Sequence, residues 1–260
     1  MKHCFVIIAY KDSPYLERCI LSLINQKYKS EIVITTSTPS RYIENLSSKY
    51  HLPLFVREGV PNIQDDWNFG FSMAQCDFVT LAHQDDVYLE DFSRRINERI
   101  TQKSILLFTD YQEVKGEVIL ENALNLKIKK WMLLGFRVKL FSKNKIFRRW
   151  ILAFGSPICC PSVTYNLNLL GREIFTSQYK CNLDWDTWVK CSKLKGNYEY
   201  IPKTLMYHQI HEESETSHLI KENIRQSEDY EMFKKFWPKF IARKLVKVYA
   251  KSLESNEVEL

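Results

Sequence analysis

The chain opens on a continuous apolar run, Phe5 to Ala9, of the length of one buried strand. Ser13 follows as an N-cap with Pro14 at the first helical position, and Leu16, Cys19, Ile20, Leu23 and Ile24 then repeat at helical spacing. A second strand over Ile32 to Thr35 gives way to a helix from Ser40 with Ile43, Leu46 and Tyr50 on one face, and then to Leu54-Phe55-Val56. Between Asn62 and Gln75 a helix capped by Asp65 or Asp66 carries Trp67, Phe69, Phe71 and Met73, which read as core. The run Phe78-Val79-Thr80-Leu81-Ala82-His83-Gln84 then stops at two adjacent carboxylates, Asp85 and Asp86. A helix from Leu89 to Ile100 and a strand from Ile105 to Thr109, ending at Asp110, complete this half. Strand alternating with helix predicts an α/β fold: a Rossmann-like, mostly parallel sheet flanked by helices.

From Leu126 the pattern changes. Lys127, Lys129, Lys130, Arg137, Lys139, Lys143, Lys145, Arg148 and Arg149 are interleaved with Trp131, Leu134, Phe136, Leu140, Ile146, Trp150 and other apolar residues, and no acid occurs between Glu121 and Glu173. Gly155 to Ser162 is an apolar, turn-rich loop that lines a pocket or merely connects elements. Asp184 or Asp186 begins a helix with Trp185, Trp188 and Val189 inward. Tyr198 to Ile201 reads as an edge strand closed by Pro202. Tyr207 to Thr216 is polar and aperiodic, and a basic helical tail runs from Glu222 to Leu253 with a break at Pro238. These shifts divide one continuous domain into 1–125, 126–221 and a tail, 222–260.

With 260 residues, 45% of them hydrophobic, the chain is long enough for a full core, and disorder is not expected. Seven cysteines without a CxxC pair or recurring spacing point to neither a disulfide framework nor a zinc knuckle, so a reducing cytosol is the expected setting. The first apolar run is too short for a signal peptide, and nothing approaches the roughly 20 apolar residues of a membrane span. The net charge of +6 gathers in the stretch after residue 126 and its tail. Such a basic, apolar, amphipathic segment suits the interface of an anionic membrane. Nucleic acid is the competing partner for the charge, and a helical hairpin with solvated lysines is the third reading. Leu, Ile and Phe in bulk, rather than a few stacking aromatics, favour the membrane over nucleic acid, and the expected location is cytoplasmic, peripheral on the inner face of the membrane.

A buried parallel strand ending in paired acids is a common way for an α/β sheet to present a metal or nucleotide site at its carboxyl edge, although Asp85 and Asp86 also suit the start of the following helix. Asn68, a polar residue just inside a helix start near that edge, is within reach of a nucleotide. Asp184 with Asp186, and His208 with His211, are the other acidic or histidine elements in comparable positions, the histidines being possible metal ligands or simply hydrogen-bonded. Sugar transfer from a nucleotide diphosphate asks for such a set. Hard oxygen ligands hold Mg²⁺ or Mn²⁺ against the leaving diphosphate, and a further carboxylate acts as base toward the acceptor hydroxyl.

Four segments in order carry a resemblance to a known family: Val6-Ile7-Ile8-Ala9-Tyr10-Lys11 with the helix from Tyr15 ending in Asn25-Gln26; Gln84-Asp85-Asp86; Leu183-Asp184-Trp185-Asp186-Thr187-Trp188; and His208 to Thr216. They resemble the opening strand and helix, the DxD region, the acidic motif and the late histidine segment of the inverting family 2 glycosyltransferases with the GT-A nucleotide-diphospho-sugar transferase fold. The resemblance implies a nucleotide-binding set of Ala9, Tyr10, Lys11, Thr36, Asn68 and Asp85, a metal (Mn²⁺ or Mg²⁺) on Asp86 and His211, and Asp184 as catalytic base. The chain departs from the family pattern at three places. Thr35-Thr36-Ser37-Thr38 replaces an acidic Asp-Asp-Gly-Ser, which leaves UDP as the default nucleotide; Gln84 replaces the first acid of DxD; and Gln209 stands where an arginine is usual. The implied activity is transfer of one sugar, with inversion, to a cell-surface or lipid-linked glycan. A catalytically silent sugar-nucleotide or glycan-binding module is the alternative, and nucleotidyl transfer lacks its glycine-rich loop between Tyr10 and Pro14.

Overall fold

The computed structural model describes residues 1–116, 118–120, 124–211 and 224–258, with side chains as far as residue 250. The first half alternates as the apolar pattern predicts: β1 (His3–Ala9), α1 (Leu16–Ile24), β2 (Glu31–Thr36), α2 (Arg41–Lys49), β3 (Leu54–Val56), α3 (Ile63–Met73), β4 (Phe78–His83), β5 (Val87–Tyr88) and α4 (Phe92–Arg99). The second half holds β6 (Ser104–Lys115), β7 (Val118–Leu120), α5 (Leu124–Leu133), α6 (Lys139–Lys143), α7 (Lys145–Leu152), β8 (Val163–Asn166), α8 (Leu167–Leu170), α9 (Leu183–Cys191), β9 (Asn197–Ile210), α10 (Ile224–Lys234) and α11 (Lys239–Val258).

Among the described residues the strands make one nine-stranded sheet in the order β3-β2-β1-β4-β8-β6-β9-β5, with β7 on β6. Strands β3, β2, β1 and β4 are parallel. β8 then inserts antiparallel to both β4 and β6, and β9 returns parallel to β6. The sheet is therefore mixed, parallel where βα units alternate and antiparallel where the second half of the chain adds strands. β1 and β4 read as unbroken apolar runs because both faces are covered. Phe5, Ile7, Phe78 and Ala82 pack with Ile20, Ile43, Phe92 and Ile96 of α1, α2 and α4. On the opposite face Val6, Val79 and Leu81 meet Phe71, Leu152, Trp185, Trp188 and Phe233. Gly70 lets α3 lie close on β1: a Cβ there would stand 2.9 Å from Ile8 and 3.0 Å from Val6.

Several local expectations are corrected. Ser13 does not cap α1, whose N-cap is Tyr15. The α3 cap is Asn62, which accepts from the Asp65 N–H, rather than Asp65 or Asp66. The strand expected at Tyr198 to Ile201 extends to Ile210 and lies between β6 and β5, not at an edge. Pro202 is accommodated by an irregularity, the β6 register passing from Thr109↔Ile201 to Asp110↔Thr204, so the missing N–H falls where pairing is already interrupted. Cys4 on β1 and Cys76 just before β4 form a disulfide that the irregular cysteine spacing did not suggest. Residues 212–216 and the expected helix start at Glu222 lie outside the described residues.

Gly196, at the turn into β9, has φ +146°, and a Cβ there would meet the Lys103 carbonyl oxygen at 2.5 Å. Gly196→Ala is expected to lower stability by about 1–3 kcal/mol, seen as a fall in Tm of about 2–4 °C per kcal/mol in a chain of this size. An unchanged melting curve would contradict the turn geometry.

Candidate active site

The parallel strands deliver their carboxyl ends to one edge. Ala9 and Thr36 are register partners at the ends of β1 and β2, both buried, and His83 ends β4. The Gln84 amide takes both polar groups of Tyr10, accepting from its N–H at 2.9 Å and donating to its carbonyl at 2.9 Å. The glutamine in the DxD region thus pins the loop after β1 to the loop after β4. Lys11 sits at φ +54°, its N–H donating to Thr38 Oγ1 at 2.6 Å, while Thr36 Oγ1 accepts from the Thr38 N–H.

The adjacent acids part company. Asp86 is 1% exposed, and its Oδ1 accepts from the Gln209 N–H at 3.0 Å and lies 2.9 Å from His208 Nδ1. Its Oδ2 is buried without a hydrogen-bond partner among the described residues. Burial alone would lower the His208 pKa, but the charge and hydrogen bond of Asp86 hold it above the ordinary value. Asp85 faces the rim instead: Oδ1 accepts from Ser13 Oγ at 2.7 Å, and Oδ2 is 3.1 Å from His211 Nε2. His211 stands beside Asp85, while Asp86 is engaged by His208 and the Gln209 N–H.

Asp184 lies in the first turn of α9, half-buried, where burial pushes its carboxyl up to about 6 against the opposing pull of the Trp185 N–H, Arg225 and Lys129. Lys129 comes from the basic stretch but points inward, donating to Tyr111 Oη at 2.9 Å. Burial lowers its pKa, with Glu113 and Asp184 acting the other way. Lys129 also bears on His208, so the two sides of the site share one cation. Asp186 is spent on structure: it is 4% exposed and paired with Lys190 at 2.9 Å and with Lys235. Burial would raise its pKa, but the lysines hold it below the usual carboxylate value.

Both ends of the Asn68 amide are engaged by Phe175, whose N–H donates to Oδ1 at 3.0 Å and whose carbonyl accepts from Nδ2 at 2.7 Å. Asn68 thereby anchors the loop before α9. Sequence reasoning missed Ser13, Lys129, Glu113 and Arg225. Their only signal was placement, a hydroxyl in the loop after the first strand and charged residues within apolar segments.

The family profile described as Glycosyl transferase family 2 matches residues 4–157. Among solved structures, S. aureus TarS 1–349 is similar with a TM-score of 0.62 at 16% identity, over 95% of this chain and 69% of that one. The same protein in complex with UDP-GlcNAc gives 0.61 at 15%, over 98% and 73%. The mannosyltransferase PcManGT from Pyrobaculum calidifontis, in complex with GDP-Man and Mn²⁺, gives 0.62 at 13%, over 100% and 76%. At these identities the likeness establishes the fold, GT-A. No curated protein matches the chain significantly.

The different settings of the acids have a measurable consequence. Asp86→Ala strips His208 and the Gln209 N–H of their acceptor inside the protein and is expected to cost about 3–5 kcal/mol. Asp85→Ala, at the rim, is expected to cost about 1 kcal/mol or less. Urea unfolding of both variants checks this, and equal losses would refute the assignment of Asp86 as the structural acid.

Proposed function

The chain belongs to glycosyl transferase family 2, and on that premise we propose that it moves a sugar from a nucleotide diphosphate, UDP by default, to a hydroxyl of a cell-surface or lipid-linked glycan with inversion. The observation that carries this reading is the combination of a rim pair, Asp85 with His211, and a half-buried carboxylate, Asp184, poised at about 6.

The rim pair fits a divalent cation. Asp85 Oδ2 and His211 Nε2, 3.1 Å apart in a direct pair, would supply one oxygen and one nitrogen donor to such an ion. Among the described residues no group of three His, Cys, Asp or Glu side chains is suited to a metal. A two-donor site suits Mn²⁺ or Mg²⁺ arriving with the diphosphate. When bound, the ion neutralises charge on the leaving group. Ala9, Tyr10, Lys11 and Thr36 border the nucleoside. Asp184 takes the acceptor's proton as the acceptor oxygen bonds to the anomeric carbon, and the bond from that carbon to the diphosphate oxygen breaks on the opposite face, the diphosphate leaving with the electron pair.

The second part of the proposal is peripheral contact with the inner face of the membrane through α5 to α7. Among the described residues no helix is long and apolar enough to cross a membrane. Trp131, Leu140 and Ile146 are 73%, 70% and 80% exposed, and Lys139, Lys143 and Lys145 stand exposed beside them. That mixture of apolar area and cations suits an anionic lipid interface. Arg148 does not belong to this face: it is fully buried, donates to the Leu194 carbonyl at 2.9 Å and lies over the Tyr198 ring.

Two experiments test these readings. Asp184→Asn is expected to keep donor binding and Tm while slowing transfer by about 10² to 10⁴. In the wild type, transfer should fall as pH drops through about 6, because protonating Asp184 removes the base. Full turnover by Asp184→Asn, or a rate flat from pH 5 to 8, would discard Asp184 as the base. For the membrane face, Lys139→Gln/Lys143→Gln/Lys145→Gln is expected to weaken binding to phosphatidylserine vesicles at low salt by about 10- to 100-fold. Equal co-sedimentation of variant and wild type would return these lysines to solvent.

A further inference from the structure

The first turn of α1 brings to the carboxyl edge a cation that pairs with no carboxylate among the described residues. Because α1 follows a parallel strand, its start lies beside the loop of Tyr10 and Lys11, and Arg18 is its third residue. The Arg18 Nη2 donates to Gln209 Oε1 at 2.7 Å, and the guanidinium carbon lies 5.4 Å from the centre of the Tyr15 ring. That ring is in turn 5.1 Å from the ring of His211, the residue paired with Asp85. Arg18 is thus two ring contacts from the proposed ion site. It is exposed, and among the described residues it forms no ion pair with a carboxylate. A neutral amide and an aromatic face orient a guanidinium without cancelling its charge, which leaves its remaining donors for an anion.

Gln209 is well fixed: it is 3% exposed, its N–H is held by Asp86, and its Nε2 donates to the Val114 carbonyl at 3.2 Å. Its Oε1 is therefore a rigid acceptor that sets where Arg18 stands. Gln209 lies near the end of β9 and His211 is the residue after it, so the groups that Arg18 and Tyr15 meet are two residues apart in the chain.

Resting on the glycosyltransferase reading, we propose that Arg18 is a diphosphate-binding residue, held at the carboxyl edge by Gln209 as its cradle and by the Tyr15 ring. The ligand is the diphosphate of the nucleotide donor and, after transfer, of the departing nucleotide. Bidentate guanidinium contacts to phosphate oxygens supply geometry as well as charge. They bear on the distal phosphate and leave recognition of the nucleoside to the β1 and β2 loops.

Titration calorimetry with UDP, GDP and UMP in Mn²⁺ tests this on the full chain. In the wild type one diphosphate binds more tightly than UMP. In Arg18→Gln that preference is expected to fall about 10- to 100-fold, with UMP affinity and Tm held. Moving the charge to position 209, in Arg18→Gln/Gln209→Arg, is expected to restore the preference to within a few-fold. Arg18→Lys keeps the charge if the buried double variant melts early, and it should retain more of the preference than Arg18→Gln. An unaltered preference in Arg18→Gln overturns the proposal alone. So does a folded double variant no better than the single one, or a lysine as poor as glutamine. A wild type that binds no nucleotide diphosphate overturns the glycosyltransferase reading and this proposal together.

Discussion

The structure depends on one buried carboxylate. Asp86 follows β4 and is shut away from water, where an unpaired charge costs several kcal/mol. Among the described residues its side chain is hydrogen-bonded from β9, by His208 Nδ1 and the Gln209 N–H. Asp86 immediately precedes β5, which pairs antiparallel with β9 at Val87↔Tyr207, so the β5–β9 ladder carries the loop after β4 to the end of β9 and the buried acid locks that register. With His208 and Gln209 fixed, His211 comes to Asp85 and Gln209 presents its amide oxygen to Arg18. The buried acid therefore registers the rim acid beside it.

That division of labour explains what was legible in the sequence. β1, β2 and β4, with the helices between them, follow directly from apolar runs and helical spacing, because a strand covered on both faces contains little else. The carboxyl edge was legible for the same reason, since it lies where those runs stop. Which of two consecutive aspartates turns inward was not, because the answer lies more than a hundred residues away on β9. β9 itself was half hidden. Its final residues are polar because they line the site, and Pro202 looks like an end until an irregular pairing absorbs it. The hydrogen bonds of Asn68 were not legible either, because its partner, the Phe175 backbone, lies more than a hundred residues away.

The basic stretch shows the limit of composition. Its apolar and cationic character survives at the surface in Trp131, Leu140 and Ile146 beside Lys139, Lys143 and Lys145. It is broken at Leu134 to Val138 and again at Asn144, and its cations are spread around the helical pieces rather than gathered on one face. Lys129 and Arg148 turn inward, one to Tyr111 and one to the core. Net charge indicates a partner, whereas the direction each side chain takes from its helix decides which charges remain to meet it.

Helix α10 is tied to the start of α9 by two acids. Glu228 on α10 accepts from the N–H groups of Lys180 and Cys181 at 2.8 Å and of Asn182 at 3.0 Å, and Asp229 accepts from Asn182 Nδ2 at 2.8 Å. The turn leading into α9 is thereby fixed by two acids from another element. Those N–H groups would otherwise be available to stabilise negative charge near the helix start, where the backbone favours anions. With them committed to Glu228, Asp184 is left with its neighbour Trp185 N–H and the more distant Arg225 and Lys129, which do not outweigh burial. Two residues on, Asp186 has two lysines to itself and stays ionised. A helix that starts with two carboxylates thus keeps one as an anchor and leaves the other with a pKa near 6, the setting a general base requires.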